Sequence, residues 1–141
     1  MTRNIRIRMV ACGFLTCGAM IAPAARSQAP APNAPAAKQI FQSDLKGVPG
    51  QEALVFVVDF APGQGLPWHV HPGGHEFVYG LEGTFVFEEQ DGTKSSLKAG
   101  ELKHIGPEIG HTVRNDGTTM AKVLVVRVKD KAKPVVTPFQ P

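Results

Sequence analysis

The feature that most constrains this chain is a run of short apolar segments broken by Gly, Pro or Asp-Gly every ten or so residues. "ALVFVVDF" (53–60) is β-branched and aromatic and stops at Pro62-Gly63. "HEFVYGLEG" (75–83) and "TFVFEEQ" (84–90) follow, and Asp91-Gly92 then marks a tight hairpin. "HTVRN" (111–115) leads through Asp116-Gly117, read as a second hairpin, into "MAKVLVVRVK" (120–129). No segment from 39 onward has a good helical period. These signals predict an all-β domain, an antiparallel sandwich or barrel. The tail "AKPVVTPFQP" carries three prolines and is expected along an edge rather than as a central strand. Several strands are apolar on both faces, as with Leu54, Phe56 and Val58 against Val55 and Val57. A lone half-solvated sheet should alternate. A second sheet on one side and a partner subunit on the other would explain the pattern, so a homodimer is expected.

The first 27 residues read differently. Arg3, Arg6 and Arg8 precede an apolar run from Met9 to about Ala22, then small residues, which is the order of a secretory signal peptide. The run is shorter than the ~20 residues of a membrane span and holds Gly13 and Gly18. Cleavage is expected between Ala24 and Gln28, giving a periplasmic or secreted bacterial protein with no stable membrane anchor. An uncleaved anchor and a lipid on Cys17 are the alternatives. Residues 28–38, "QAPAPNAPAAK", are Ala/Pro-rich and read as a linker, leaving 39–141 as the folded domain.

The leader decides the charge argument. The chain has a formal net charge of +3, but four of its 15 basic residues (Arg3, Arg6, Arg8 and Arg26) lie in the leader, and all 12 acidic residues lie beyond it. The remainder holds 11 basic against 12 acidic residues, so the basic balance is no argument for a nucleic-acid partner. Both cysteines, Cys12 and Cys17, leave with the leader, which removes disulfides and thiolate chemistry.

Three of the five histidines crowd into "WHVHPGGHE" (68–76). In a strand His69 and His71 share a face, and Glu76 follows a Pro-Gly-Gly break. Imidazoles and a carboxylate so spaced suggest a metal site written into a sheet. His75 beside Glu76 should face away from it. His104 shares parity with Leu102, which turns it inward if Leu102 is core and makes it the candidate catalytic, proton-handling residue; a plain buried or edge histidine is the alternative.

The spacing Gly63-x5-His69-x-His71-x4-Glu76-x6-Gly83 resembles the first motif of the cupin superfamily in every fixed position. Gly100-x10-His111-x3-Asn115 resembles the second, with departures in its middle: Gly106 stands where the family has proline and Glu108 where it has glycine. The resemblance implies a double-stranded jelly-roll β-barrel with His69, His71, Glu76 and His111 as ligands of one divalent transition metal. That donor set suits Mn, Fe, Co, Ni, Cu or Zn. It further implies a small-molecule ligand or substrate, handled by a metal-dependent oxygenase or isomerase on an oxygen-rich compound, or by a non-catalytic binding module for an organic acid, sugar or metal. Fold alone does not choose between them.

Overall fold

The computed structural model describes residues 34–141. The expected leader and most of the linker lie outside the described residues. Ten strands follow in chain order: β1 (Ala36–Asp44), β2 (Gln51–Phe60), β3 (Gly65–Val70), β4 (Gly74–Glu82), β5 (Thr84–Glu89), β6 (Lys94–Lys98), β7 (Leu102–Ile105), β8 (His111–Arg114), β9 (Ala121–Asp130) and β10 (Thr137–Pro138). They form two antiparallel five-stranded sheets, ordered β1-β2-β9-β4-β7 and β10-β3-β8-β5-β6. Among the described residues there is no helix.

The period of two puts alternate residues of β2 and β9 inside. Val58 and Phe60 on β2 and Val123 and Val125 on β9 meet Phe85, Phe87, Leu97 and Val113 from the facing sheet. Phe60 and Phe85 pack edge to face, their ring centroids 5.2 Å apart, the arrangement the ring quadrupole favours. The Asp91-Gly92 hairpin joins β5 to β6 as expected, with Gly92 at φ +85°.

Two expectations change. β1 begins at Ala36, inside the stretch read as linker, because even Ala36–Lys38 find strand partners in Val57, Val58 and Asp59 of β2. Asp116-Gly117 is not a hairpin: β8 lies in one sheet and β9 in the other, so this loop crosses between them. Asn115, almost fully buried, holds the crossing. Its Nδ2 donates to the Phe60 and Thr119 carbonyls at 3.0 and 2.8 Å, and its Oδ1 accepts from the Gly117 amide at 2.9 Å. A side-chain amide that replaces ladder bonds for three backbone groups turns the chain without a two-residue turn.

Candidate metal centre

His69 closes β3, and its backbone lies directly opposite His111 of β8. Cross-strand neighbours share a face, and their rings lie 4.2 Å apart between centroids. His71 stands one residue beyond β3, where a turn closed by the Gly74 amide on the His71 carbonyl (3.2 Å) feeds β4. Glu76 is the first inward side chain of β4 after Gly74. All four residues are buried, and each offers a ligand atom within 4.8 Å of the others. The structure brings together the four residues that the motif resemblance named, although His71 lies just beyond β3 and not within it.

The hydrogen bonds of the rings are more informative than their proximity. Each histidine turns its Nδ1 to a backbone carbonyl: His69 to Pro67 (2.7 Å), His71 to Val135 (2.8 Å) and His111 to Ile109 (2.9 Å). A carbonyl only accepts, so Nδ1 carries a proton, and in the neutral ring Nε2 keeps its lone pair. The Nε2 atoms of His71 and His111 sit 3.1 and 3.2 Å from Glu76 Oε2. A proton on Nε2 lets either ring donate to Glu76, and with neutral imidazoles a metal ion takes the same place between the lone pairs and the carboxylate. Burial, reinforced by the nearby His111, pushes the His69 pKa down to about 4 and keeps that ring neutral. Burial works to raise Glu76, but His111, His71 and the Arg127 charge outweigh it and hold the carboxyl well below its usual range. The donor set fits a divalent transition metal.

Arg127 of β9 lies directly opposite Glu76 in the ladder and was not legible as a site residue. Its Nη2 donates to Glu76 Oε1 at 2.9 Å, and its Nη1 donates to the Val135 carbonyl at 2.9 Å. Its buried Nε meets no acceptor. Val135 thus serves both His71 and Arg127 through one carbonyl. The tail that supplies it is docked by β10 on β3 and by Phe139, whose amide donates to the Trp68 carbonyl (3.0 Å) and whose ring packs 6.2 Å from Trp68. Gly110 makes room for it, since a Cβ there would stand 2.5 Å from the Phe139 ring.

One departure in the second motif, Glu108, has a structural role here. Glu108 adopts φ +59°, the left-handed region that a glycine enters freely and other residues enter at a cost. Its Oε1 accepts from the Gly73 amide at 2.9 Å, which ties the second motif to the His71 turn.

The site opens into a cavity of about 780 Å³, with Phe56, Val58, Trp68, Val78, Val125 and Phe139 among the residues that line it. His69, Glu76, His111 and Arg127 supply polar lining.

His104 is a correction. Leu102 is 63% exposed rather than core, so the parity argument inverts, and His104 lies on the outer face of its sheet. There its Nε2 lies 3.0 Å from His75 Nδ1, and its ring stacks on Phe77 at 4.7 Å. It faces away from the cavity and takes no proton-handling part in it. The inward residues of β7 are Lys103, bonded to Glu89 (2.7 Å) and Ser95 (3.0 Å), and Ile105. His75 faces outward as expected. Tyr79 is on the same outer face and 40% exposed, not in the core.

A family model described as "Cupin domain" matches residues 56–127, about half of the chain. The TT1209 protein of Thermus thermophilus is similar in structure, with a TM-score of 0.59 and 28% identity over 70% of this chain and 87% of that one. An uncharacterized conserved protein with a double-stranded beta-helix domain from Klebsiella pneumoniae subsp. pneumoniae MGH 78578 superimposes with a TM-score of 0.65 at 21% identity, covering 80% of this chain and 90% of that one. A recombinant oxalate oxidase in complex with glycolate matches with a TM-score of 0.58 and 25% identity over 77% of this chain but 56% of its own. No curated protein matches the chain. Its two-sheet barrel, its paired motifs and the family match agree: the chain belongs to the cupin family.

Proposed function

We propose that His69, His71, Glu76 and His111 hold one divalent transition metal and that the barrel is a metal-dependent enzyme, of the oxygenase or isomerase kind, for a small oxygen-bearing molecule. The observation that carries this reading is the convergence of three imidazoles whose Nδ1 protons are all spent on carbonyls, with a candidate ligand atom of each ring and of Glu76 within 4.8 Å of one another. When bound, the ion would polarise a chelating oxygen as a Lewis acid. The chain's own residues do the rest. Arg127 fixes the Glu76 carboxylate, the carbonyls of Pro67, Val135 and Ile109 fix the rings, and the apolar walls offer a bound molecule a hydrocarbon surface. The oxalate oxidase neighbour, in complex with glycolate, supports a small organic acid as one type of ligand.

One observation favours a second reading, a binding module without turnover. Apart from the candidate ligands and Arg127, no titratable side chain among the described residues lines the cavity, so no separate general base faces a ligand. Metal analysis of protein purified from its own compartment tests the metal reading, with one equivalent expected. Oxygen uptake and product analysis with organic acids, diols and diketones then separates turnover from binding alone.

Two expectations join this proposal. The basic and apolar leader supports export, which N-terminal sequencing of the mature protein would test against an intact Met1. The outer face of the first sheet supports a homodimer, because Phe41, Val55, Val126 and Phe77 align across it in one register row with no second sheet over them. A monomeric mass in light scattering at micromolar concentration would remove that reading.

A further inference from the structure

The charge balance at the floor of the cavity and the character of its walls together define a class of ligand. Glu76 and Arg127 compensate each other, and a histidine that ligates a metal is neutral, here with its Nδ1 proton on a carbonyl. A divalent ion placed among them leaves two positive charges without counter-charge at the bottom of an apolar cavity. Such an excess is strongly disfavoured away from water unless an anion joins it.

Arg127 is set to meet that anion. A guanidinium binds a carboxylate along the edge formed by Nε and Nη2. Here Nη2 reaches Glu76 Oε1, while Nε on the same edge meets no acceptor. One oxygen of an incoming carboxylate can accept from that Nε beside Glu76.

The walls exclude most polar bodies. Beyond the ligands and Arg127, the lining is dominated by residues such as Phe56, Leu66, Trp68, Val78 and Val125. A sugar would give up hydrogen bonds to water and find few in return, whereas a hydrocarbon body is drawn in by the area it buries. A two-carbon acid would leave most of about 780 Å³ unfilled.

Resting on the metal reading above, we propose that the cavity takes a monocarboxylate with an apolar body the size of a six-membered ring or short chain. The carboxylate lies toward the ion and Arg127, and the body lies against Phe56, Trp68 and Val125.

The test uses the protein loaded with zinc, which carries no redox chemistry. Native mass spectrometry first counts the zinc. Calorimetry and the fluorescence of Trp68, the chain's single tryptophan, then follow three probes: cyclohexanecarboxylate, its neutral analogue cyclohexylmethanol, and glycolate. The expected result is that cyclohexanecarboxylate binds at least tenfold tighter than either of the others and changes Trp68 emission. Arg127→Met should weaken zinc about 10- to 100-fold, because it removes the partner behind Glu76, and at saturating zinc it is expected to erase most of the preference for the acid over the alcohol. Equal binding of glycolate overturns the apolar body, and equal binding of the alcohol by the unaltered protein overturns the anionic head. Zero zinc before any probe is added overturns the metal reading and this proposal with it, so the two failures are told apart.

Discussion

The molecule carries two groups of histidines on opposite sides of one sheet, and they differ in everything except residue type. Inside, His69, His71 and His111 are nearly inaccessible, and each Nδ1 is held by a backbone carbonyl. Outside, His75 and His104 are exposed, and their rings stack on one another and on Phe77. A buried imidazole with a fixed tautomer aims one lone pair in one direction, whereas an exposed pair can rotate and exchange its contacts with water. The comparison teaches that a histidine's chemistry here is set by which backbone acceptor holds it, and only secondarily by its nearness to another histidine.

The sharpest way to break the contrast is to remove an inner ring. His111→Ala deletes a donor that comes from a strand outside the His-x-His segment, and zinc affinity measured by competition with a chelator should fall at least ~100-fold while the barrel stays folded by circular dichroism. Wild-type stoichiometry and affinity in this variant would show that His111 is not a ligand.

A smaller effect should follow from removing the carbonyl that aims a ring. Ending the chain after Pro134 deletes the Val135 acceptor and the Phe139 anchor while leaving all four ligand side chains in place. Metal affinity should drop about 10- to 100-fold, as is usual when a partner behind a ligand is lost. Unchanged affinity would mean that the tail only lines the cavity.

Acid should separate the groups next. In the protein stripped of metal, His69 has a folded pKa of about 4 against about 6.5 in an unfolded chain. As pH falls through 6.5 the unfolded chain takes up this proton first, so stability is lost between about pH 6.5 and 4, by a few kcal/mol at most. Below about 4.5 the lowered pKa of Glu76 acts in the same direction. Denaturant midpoints across this window should decline with pH, and saturating zinc should shift the decline to lower pH. A flat profile for the metal-free protein would contradict the burial assigned to His69.

The smallest effect belongs to the outer group. His104→Ala should leave zinc affinity within about twofold and monomer stability within about 0.5 kcal/mol, as for surface sites generally. A large loss of metal would return His104 to the site and overturn its placement on the outer face.

The strands were legible because β-branched runs and turn residues impose a period of two that solvent and core enforce locally. The candidate ligand set was legible by another route: His69 and His71 are two apart, and the spacing of the family's motifs singles out Glu76 and His111. His104 was misplaced because its parity was anchored on Leu102, and a four-residue strand gives too short a pattern to say which face is buried. The Asp116-Gly117 turn was misread because Asn115 bonds to Phe60, a residue 55 positions away. Nor could any local pattern mark Val135, whose contribution is a carbonyl that every residue possesses.

The sequence by itself determined the sheet-forming character of this chain, its ligand types and their spacing, since these follow from side-chain chemistry and near-neighbour geometry. Only the tertiary structure decided which nitrogen of each imidazole is free, which arginine faces Glu76 across the ladder, and that the tail closes on the cavity. Those features depend on contacts between residues such as His71 and Val135, or Glu76 and Arg127, separated by 64 and 51 positions. Strand register and the packing of two sheets bring them together, and no local propensity encodes that meeting.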